Sequence, residues 1–152
     1  MDDRMPLVYE ISTSRDRLDV ERVHRFLSIE AYWAPGVARE VVERSIANSL
    51  PFGVYTTDGE QVGFARVVTD YATFAWLADV YIENAHRGRG LGKRLVAEVL
   101  EHPDLQGMRR WMLGTADAHE LYRRFGFDEV DNSSGRFMAI EGQAAARLCS
   151  GD

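Results

Sequence analysis

The stretch from Phe74 to Val99 is compatible with few folds. Phe74, Trp76, Ala78, Val80 and Ile82 alternate as apolar positions, and a side-chain period of two is that of a strand. Leu91, Leu95, Val96 and Val99 then fall on one helical stripe. Between them stand Gly88, Gly90 and Gly92, which let the backbone fold tightly and approach a ligand without a Cβ in the way. The first N–H groups of such a helix lack intrahelical partners and sit at the positive end of its dipole, so the turn suits a phosphate. Arg87, Arg89, Lys93 and Arg94, with His86 at the edge, concentrate positive charge here in a chain of formal net charge −6. The competing reading is a structural turn with solvated arginines, but one glycine would serve for that, and three cost backbone entropy without return.

Spacing narrows the ligand. A Walker loop needs four residues between its glycine and Gly-Lys-Ser/Thr; here three separate Gly88 from Gly92-Lys93, and Arg94 stands where the hydroxyl should be. The Gly-x-Gly-x-x-Gly dinucleotide pattern fails too, because Lys93 occupies its third glycine position. Arg87-Gly88-Arg89-Gly90-Leu91-Gly92, directly after an apolar strand, resembles the Gln/Arg-x-x-Gly-x-Gly/Ala signature of the GNAT superfamily of acetyl-CoA-dependent N-acetyltransferases. The resemblance implies that Arg87, Gly88, Arg89, Gly90, Leu91, Gly92 and Lys93 grip the coenzyme A pyrophosphate, and that no metal takes part.

The rest of the chain is consistent with that likeness. Leu7–Ser12 reads as a strand, Asp19–Leu27 as a helix, and Ala38, Val41, Val42 and Ile46 as the stripe of a second helix. Asp58-Gly59 between the apolar runs 52–57 and 61–69 signals a hairpin. After the glycine-turn helix come a short strand at 110–114 and a helix with Asp117 as N-cap and Glu120 completing a capping box. A strand pair, Phe127–Val130 and Arg136–Ile140, is turned by Asn132-Ser133-Ser134-Gly135. The resulting order, β-α-α-β-β-β-α-β-α-β-β, resembles the GNAT fold, an α/β (α+β) arrangement of a mixed, mostly antiparallel sheet flanked by helices. It is expected as a single domain over 1–152, with a core of about 7–141 and a frayed tail over 142–152. Ala118-His119-Glu120-Leu121-Tyr122-Arg123-Arg124-Phe125-Gly126-Phe127 also resembles the family's Ala-x-x-Leu-Tyr-x-x-x-Gly-Phe segment. Thr115 stands where many members carry an Asn that touches the pantetheine arm, and a hydroxyl can replace part of that contact.

Composition sets limits on partners. Charged residues make up 28% of the chain and hydrophobic ones 45%, as in ordinary globular proteins. Neither a membrane-length apolar run nor a signal peptide is evident, so no membrane partner and a cytoplasmic location are expected. The single cysteine, Cys149, cannot form an internal disulfide. A negative balance opposes broad nucleic-acid binding and suits a cationic substrate. Sheet edges and the C-terminal strand leave a homodimer open.

The likeness further implies direct attack of a small-molecule amine on the acetyl thioester. Backbone groups around Val80, Tyr81 and Ile82 would align the pantetheine and polarise the acetyl carbonyl. Tyr122 would donate a proton to the departing thiolate, since a phenol of pKa about 10 is still protonated at neutral pH; otherwise it is an ordinary helix aromatic. An alkyl ammonium is only about one part in a thousand neutral near pH 7.4, a deficit of roughly 4 kcal/mol that a base or polar pocket must offset. Asp79, then Glu83, are candidates as amine anchor or base, on a strand face with Leu77 and Tyr81; the alternative for Asp79 is an ion pair with Arg66. Tyr32 and Trp33 read either as a wall of the acceptor pocket or as a plug between helices, and His24 as a packed histidine or a substrate contact. Other readings are a peptide or protein N-terminal acetyltransferase, whose α-amine needs less help, and a non-catalytic coenzyme A-binding sensor or interaction module.

Overall fold

Five extended segments pair into one mixed sheet in the computed structural model, which describes residues 8–142 and 145. Strands β1 (Tyr9–Ser12), β2 (Leu50–Thr56), β3 (Gln61–Thr69) and β4 (Phe74–Ile82) lie in chain order and antiparallel, and β5 (Arg110–Met112) joins β4 in parallel. The hairpin signal is realised: Gly59 has φ +85°, and the Thr56 N–H donates to the Glu60 carbonyl at 2.9 Å.

Helices cover both faces. On one, α1 (Val20–Arg25), capped by Asp19, widens into a single π turn over Phe26–Glu30. Together with α2 (Arg39–Ala47), it buries Val23, Phe26, Leu27, Val42 and Ile46 against Phe64 and Tyr81 of the sheet. Val41, expected on the same stripe of α2, is exposed. On the other face, α3 (Leu91–Glu101) packs Leu91, Leu95, Val96 and Val99 onto Phe52, Val54, Val67, Ala75 and Leu77. At roughly 1.5–3 kcal/mol per fully buried side chain, these four residues outweigh any difference in helix propensity along α3. The short α4 (His119–Arg123) adds Tyr122 to the same core.

A bulge in β4 decides what faces where. Phe64 pairs with Tyr81 and Arg66 with Ala78, so Asp79 and Val80 together face Ala65 alone. Asp79 takes φ +54°, a left-handed value uncommon outside glycine but more tolerable for Asp than for most residues. The extra residue inverts the alternation: Ala75 and Leu77 enter the α3 core before it, whereas Val80 and Ile82 pack there after it. The expected continuous face through Phe74, Trp76, Ala78, Val80 and Ile82 is thereby corrected, because Phe74 and Trp76 point to the opposite, exposed side. The expected face of Leu77, Asp79, Tyr81 and Glu83 is also divided, Leu77 and Tyr81 joining opposite core clusters.

The strands expected at Phe127–Val130 and Arg136–Ile140 are irregular instead. Local bonds take up the groups a ladder would use. Asp128 and Asp131 accept from the N–H groups of Glu129 and Ser133, and the Asn132 side chain holds both the N–H and the carbonyl of Phe137. Leu7 of the first expected strand and, Ala145 apart, the tail from Gln143 including Cys149 lie outside the described residues. Among those described, no helix is long and apolar enough to cross a membrane.

Candidate active site

Strands β4 and β5 pair only where Phe74–Trp76 meet Arg110–Met112. Beyond that point β4 runs on to Ile82, while the chain after β5 turns through Gly114–Ala118 into α4. Two cavities, of about 520 and 500 Å³, line the parting. Both are lined by Tyr32, Trp33, Val80, Asp117, Ala118 and Tyr122. The first continues past Ile82 to the glycine turn; the second continues past Asp79 to Arg66 and Trp76. A smaller cavity of about 250 Å³ lies between β5, α4 and the 127–130 segment, with Tyr122 in its wall as well.

At the glycine turn, Gly88 and Gly90 adopt φ +78° and +77°, and apart from their own chain neighbours no atom of the described residues lies within 4 Å of where their Cβ atoms would stand. The turn therefore needs glycine for its backbone and leaves that backbone open to a ligand at the start of an 11-residue helix. The arginines divide the work. Arg87 donates to the Ile82 carbonyl at 2.8 Å and to Asn84 Oδ1 at 3.1 Å, splinting the turn, while Arg94 ties α3 to the Tyr9 carbonyl at 3.0 Å. Arg89 and Lys93 make no such bond among the described residues, which leaves them as the cations available to a phosphate. His86, at 2.8 Å from the Tyr9 hydroxyl, also lines the first cavity.

The carboxylates separate. Asp79 accepts from Arg66 Nε at 2.6 Å and from Trp33 Nε1 at 2.8 Å, so both its oxygens are occupied inside the second cavity. Glu83 lines neither cavity: it is held by Arg22, with Nη2 donating at 3.0 Å and Nε in close ion-pair contact at 2.7 Å. Arg22 also reaches Glu60 at 2.8 Å. His24 is likewise away from the parting, its Nε2 donating to the Val37 carbonyl at 2.9 Å.

Tyr122 is buried, and its hydroxyl has no hydrogen-bond partner among the described residues. Burial first, then the nearby Tyr32 and Asp117, push its phenol up to about 12. Tyr81 faces away, stacked on Phe26 with ring centroids 3.7 Å apart; burial raises its phenol further still, aided by Glu83. Tyr81 lines the first cavity together with Val80 and Ile82.

Opposite β4, Thr115 Oγ1 accepts from the N–H groups of Ala118 at 3.0 Å and Asp117 at 3.4 Å. The expected Asp117–Glu120 capping box is not formed; Thr115 makes the turn before α4, and Glu120 pairs with Arg123. The Thr115 O–H is still a donor at the cavity wall. The Tyr32 hydroxyl accepts from the Ala116 N–H at 2.9 Å, bridging the segment after α1 to the far wall, and its ring meets Trp33 edge-on at 5.0 Å.

Sequence reasoning missed Trp76 and Gly114 in the second cavity and Phe26, Glu30 and Leu121 in the first. Trp76 was hidden by the bulge. Gly114 and Leu121 sit beside residues the motif did mark, and nothing local in the sequence announces the Tyr32–Ala116 bond, which spans 84 positions.

The comparisons with known proteins agree with this architecture. A family model described as an acetyltransferase (GNAT) domain matches residues 48–129. A Gibberella zeae protein named as an acetyltransferase is 31% identical, covering 90% of this chain and 91% of its own length. The Bacillus subtilis spermine/spermidine N(1)-acetyltransferase is 30% identical over 60% of this chain and 69% of its own. Among solved structures, a protein from Xanthomonas campestris pv. campestris, described as a GNAT-family acetyltransferase, is 45% identical with a TM-score of 0.84, covering 91% of this chain and 96% of that one. On the matched domain, the near-full-length relative and this shared fold, the chain belongs to the GNAT acetyltransferase family.

Proposed function

We propose that the protein transfers an acetyl group from acetyl-CoA to the primary amine of a small molecule, the two substrates meeting at the β4 bulge. The observation that carries this reading is the pair of adjacent cavities that share Val80 and Tyr122 in their walls, one leading to a phosphate-type turn and the other to an aromatic, carboxylate-bearing pocket. The coenzyme would be held by the turn from Arg87 to Lys93, by the backbone of Val80–Ile82 and by the Thr115 hydroxyl. It supplies an activated acyl thioester, in which a nitrogen–carbon bond forms as the carbon–sulfur bond breaks, one proton leaving the amine and one arriving at sulfur.

The chain's own residues then have three tasks. The bulge removes Asp79 and Val80 from regular pairing, so backbone polar groups there can face a reacting carbonyl in place of the neighbouring strand. Tyr122 stays protonated throughout the neutral range and serves as a hydrogen-bond donor at the leaving sulfur. Asp79, with its oxygens bonded to Arg66 and Trp33, acts as an anchor that sets the acceptor wall, and Asp117 in the same lining brings the negative charge that Arg66 does not offset. The Tyr32 bridge narrows the approach and favours a small acceptor over a polypeptide. The B. subtilis relative, named for spermine and spermidine, supports a small amine as the class of acceptor.

The test is free-thiol release from acetyl-CoA by the purified protein across primary amines, amino acids, aminoglycosides and short peptides. Amine-dependent release with small acceptors is expected. Release with peptides alone, or tight coenzyme binding with no release from any acceptor, would overturn the reading.

A further inference from the structure

The second cavity is lined by large rings that the fold leaves uncovered. Trp76 is 37% exposed, Trp33 41% and Tyr32 55%, and all three border the same space with Leu77, Ala78 and Val80. Exposed aromatic surface gathered round one concavity is a mark of a site for an apolar ligand. The β4 bulge produces it: by inverting the alternation it turns Phe74 and Trp76 outward, onto the sheet face where α1 and α2 cover Phe64 and Tyr81 but leave Val68, the cross-strand partner of Trp76, exposed. An apolar strip therefore runs out of the cavity along β3 and β4.

The charges lining the cavity are few. Arg66 offsets Asp79, which leaves Asp117 as the one carboxylate there without an ion-pair partner among the described residues. One net negative charge matches one ammonium group; every further cation of a polyamine would be desolvated against indole and alkyl walls with no counter-charge. Trp76 and Asp117 line the same cavity, so a ring laid against the indole and an ammonium group at that carboxylate would share one space. Gly114 lies close beside Trp76 in the same lining: a Cβ there would stand 3.9 Å from the indole Cη2, an ordinary contact, so any larger side chain would crowd the ring.

We propose that this cavity selects a primary monoamine carrying an aromatic or similarly broad apolar body, with Trp76, Trp33 and Gly114 as specificity-determining residues, and that it discriminates against polyamines. The proposal rests on the transferase reading above. It is tested by kcat/KM for 2-phenylethylamine, n-propylamine and spermidine, with calorimetric Kd values for the same amines on coenzyme A-loaded protein. The expected result is a preference for 2-phenylethylamine over either other amine of roughly 10- to 100-fold. Trp76→Ala and Gly114→Val, one removing the ring and the other narrowing the space beside it, should each cut the 2-phenylethylamine to n-propylamine ratio about tenfold or more. A ratio that neither variant moves, or spermidine turned over or bound as well as 2-phenylethylamine, overturns the proposal while leaving amine acetylation standing. No turnover of any amine, with 2-phenylethylamine still bound in preference to spermidine, overturns the transferase reading and upholds the pocket's selectivity.

Discussion

At the scale of single residues, the site depends on two side chains with opposite commitments. Asp79 accepts one hydrogen bond on each oxygen, from Trp33 and from Arg66, which fixes its carboxylate in the wall of the second cavity. Tyr122, in contrast, has a hydroxyl without a hydrogen-bond partner among the described residues and a phenol raised by burial to about 12. A donor this weak does not hand its proton fully to a thiolate of pKa about 8.5, but a charge-assisted hydrogen bond to the leaving sulfur still lowers the barrier. Tyr122→Phe is expected to lower kcat by about 100-fold while changing the coenzyme Kd by no more than about twofold. The wild-type pH profile should rise toward the amine's own pKa near 10 and show no falling limb from Tyr122 below that point, because the phenol remains protonated there. A fall in kcat between pH 8 and 10 that Tyr122→Phe abolishes would contradict this assignment.

At the scale of elements, the turn from β4 into α3 separates what the backbone needs from what a ligand needs. Gly90 opens α3 at φ +77°, so Gly90→Ala should cost about 1–2 kcal/mol in stability. Gly92 lies inside the helix without a positive φ, and a Cβ there would stand 3.9 Å from Leu121 Cδ2. Gly92→Ala should therefore hold or gain stability, by up to about 1 kcal/mol, yet weaken coenzyme binding, because Gly92 lines the first cavity. Urea unfolding and coenzyme titration of the two variants check both halves of this expectation. The same element shows what a sequence can and cannot carry. The glycine spacing and the positive cluster were legible because each residue type has a narrow use there. The bulge was not: Phe74–Ala78 is apolar at both parities, so alternation could not choose a face, and Asp79, tolerant of a left-handed φ, was the only mark of the extra residue. The two last strands misread for a related reason, since their β-type residues lie among Asp and Asn side chains that bond the backbone locally. The Arg66 pairing was visible as one of two options for Asp79, whereas its Trp33 bond and the Tyr32 bridge depend on the third dimension.

At the scale of the whole molecule, the sheet carries buried phenols on both faces, and this sets how the protein responds to alkali. Burial raises Tyr81 on the α1 and α2 side and Tyr122 on the α3 side, and it raises Tyr55 within β2 as well. In the unfolded chain these groups ionise near 10, so above that pH the unfolded state has released protons that the native state still holds. Their stabilising contribution is complete below about pH 10 and is lost as pH rises toward the native values, by roughly 1.4 kcal/mol per pH unit for each group still protonated in the fold. Stability measured by urea unfolding should therefore fall steeply between pH 10 and 11. Tyr122→Phe and Tyr81→Phe should each shallow that slope, and by similar amounts, although only Tyr122→Phe should impair catalysis. Equal slopes in the wild type and both variants would mean that the phenols ionise in the fold as they do in water. The opposite pairing, a shallower slope without loss of kcat in Tyr122→Phe, would make that residue a core aromatic alone and leave the bulge backbone to stabilise the reaction unaided.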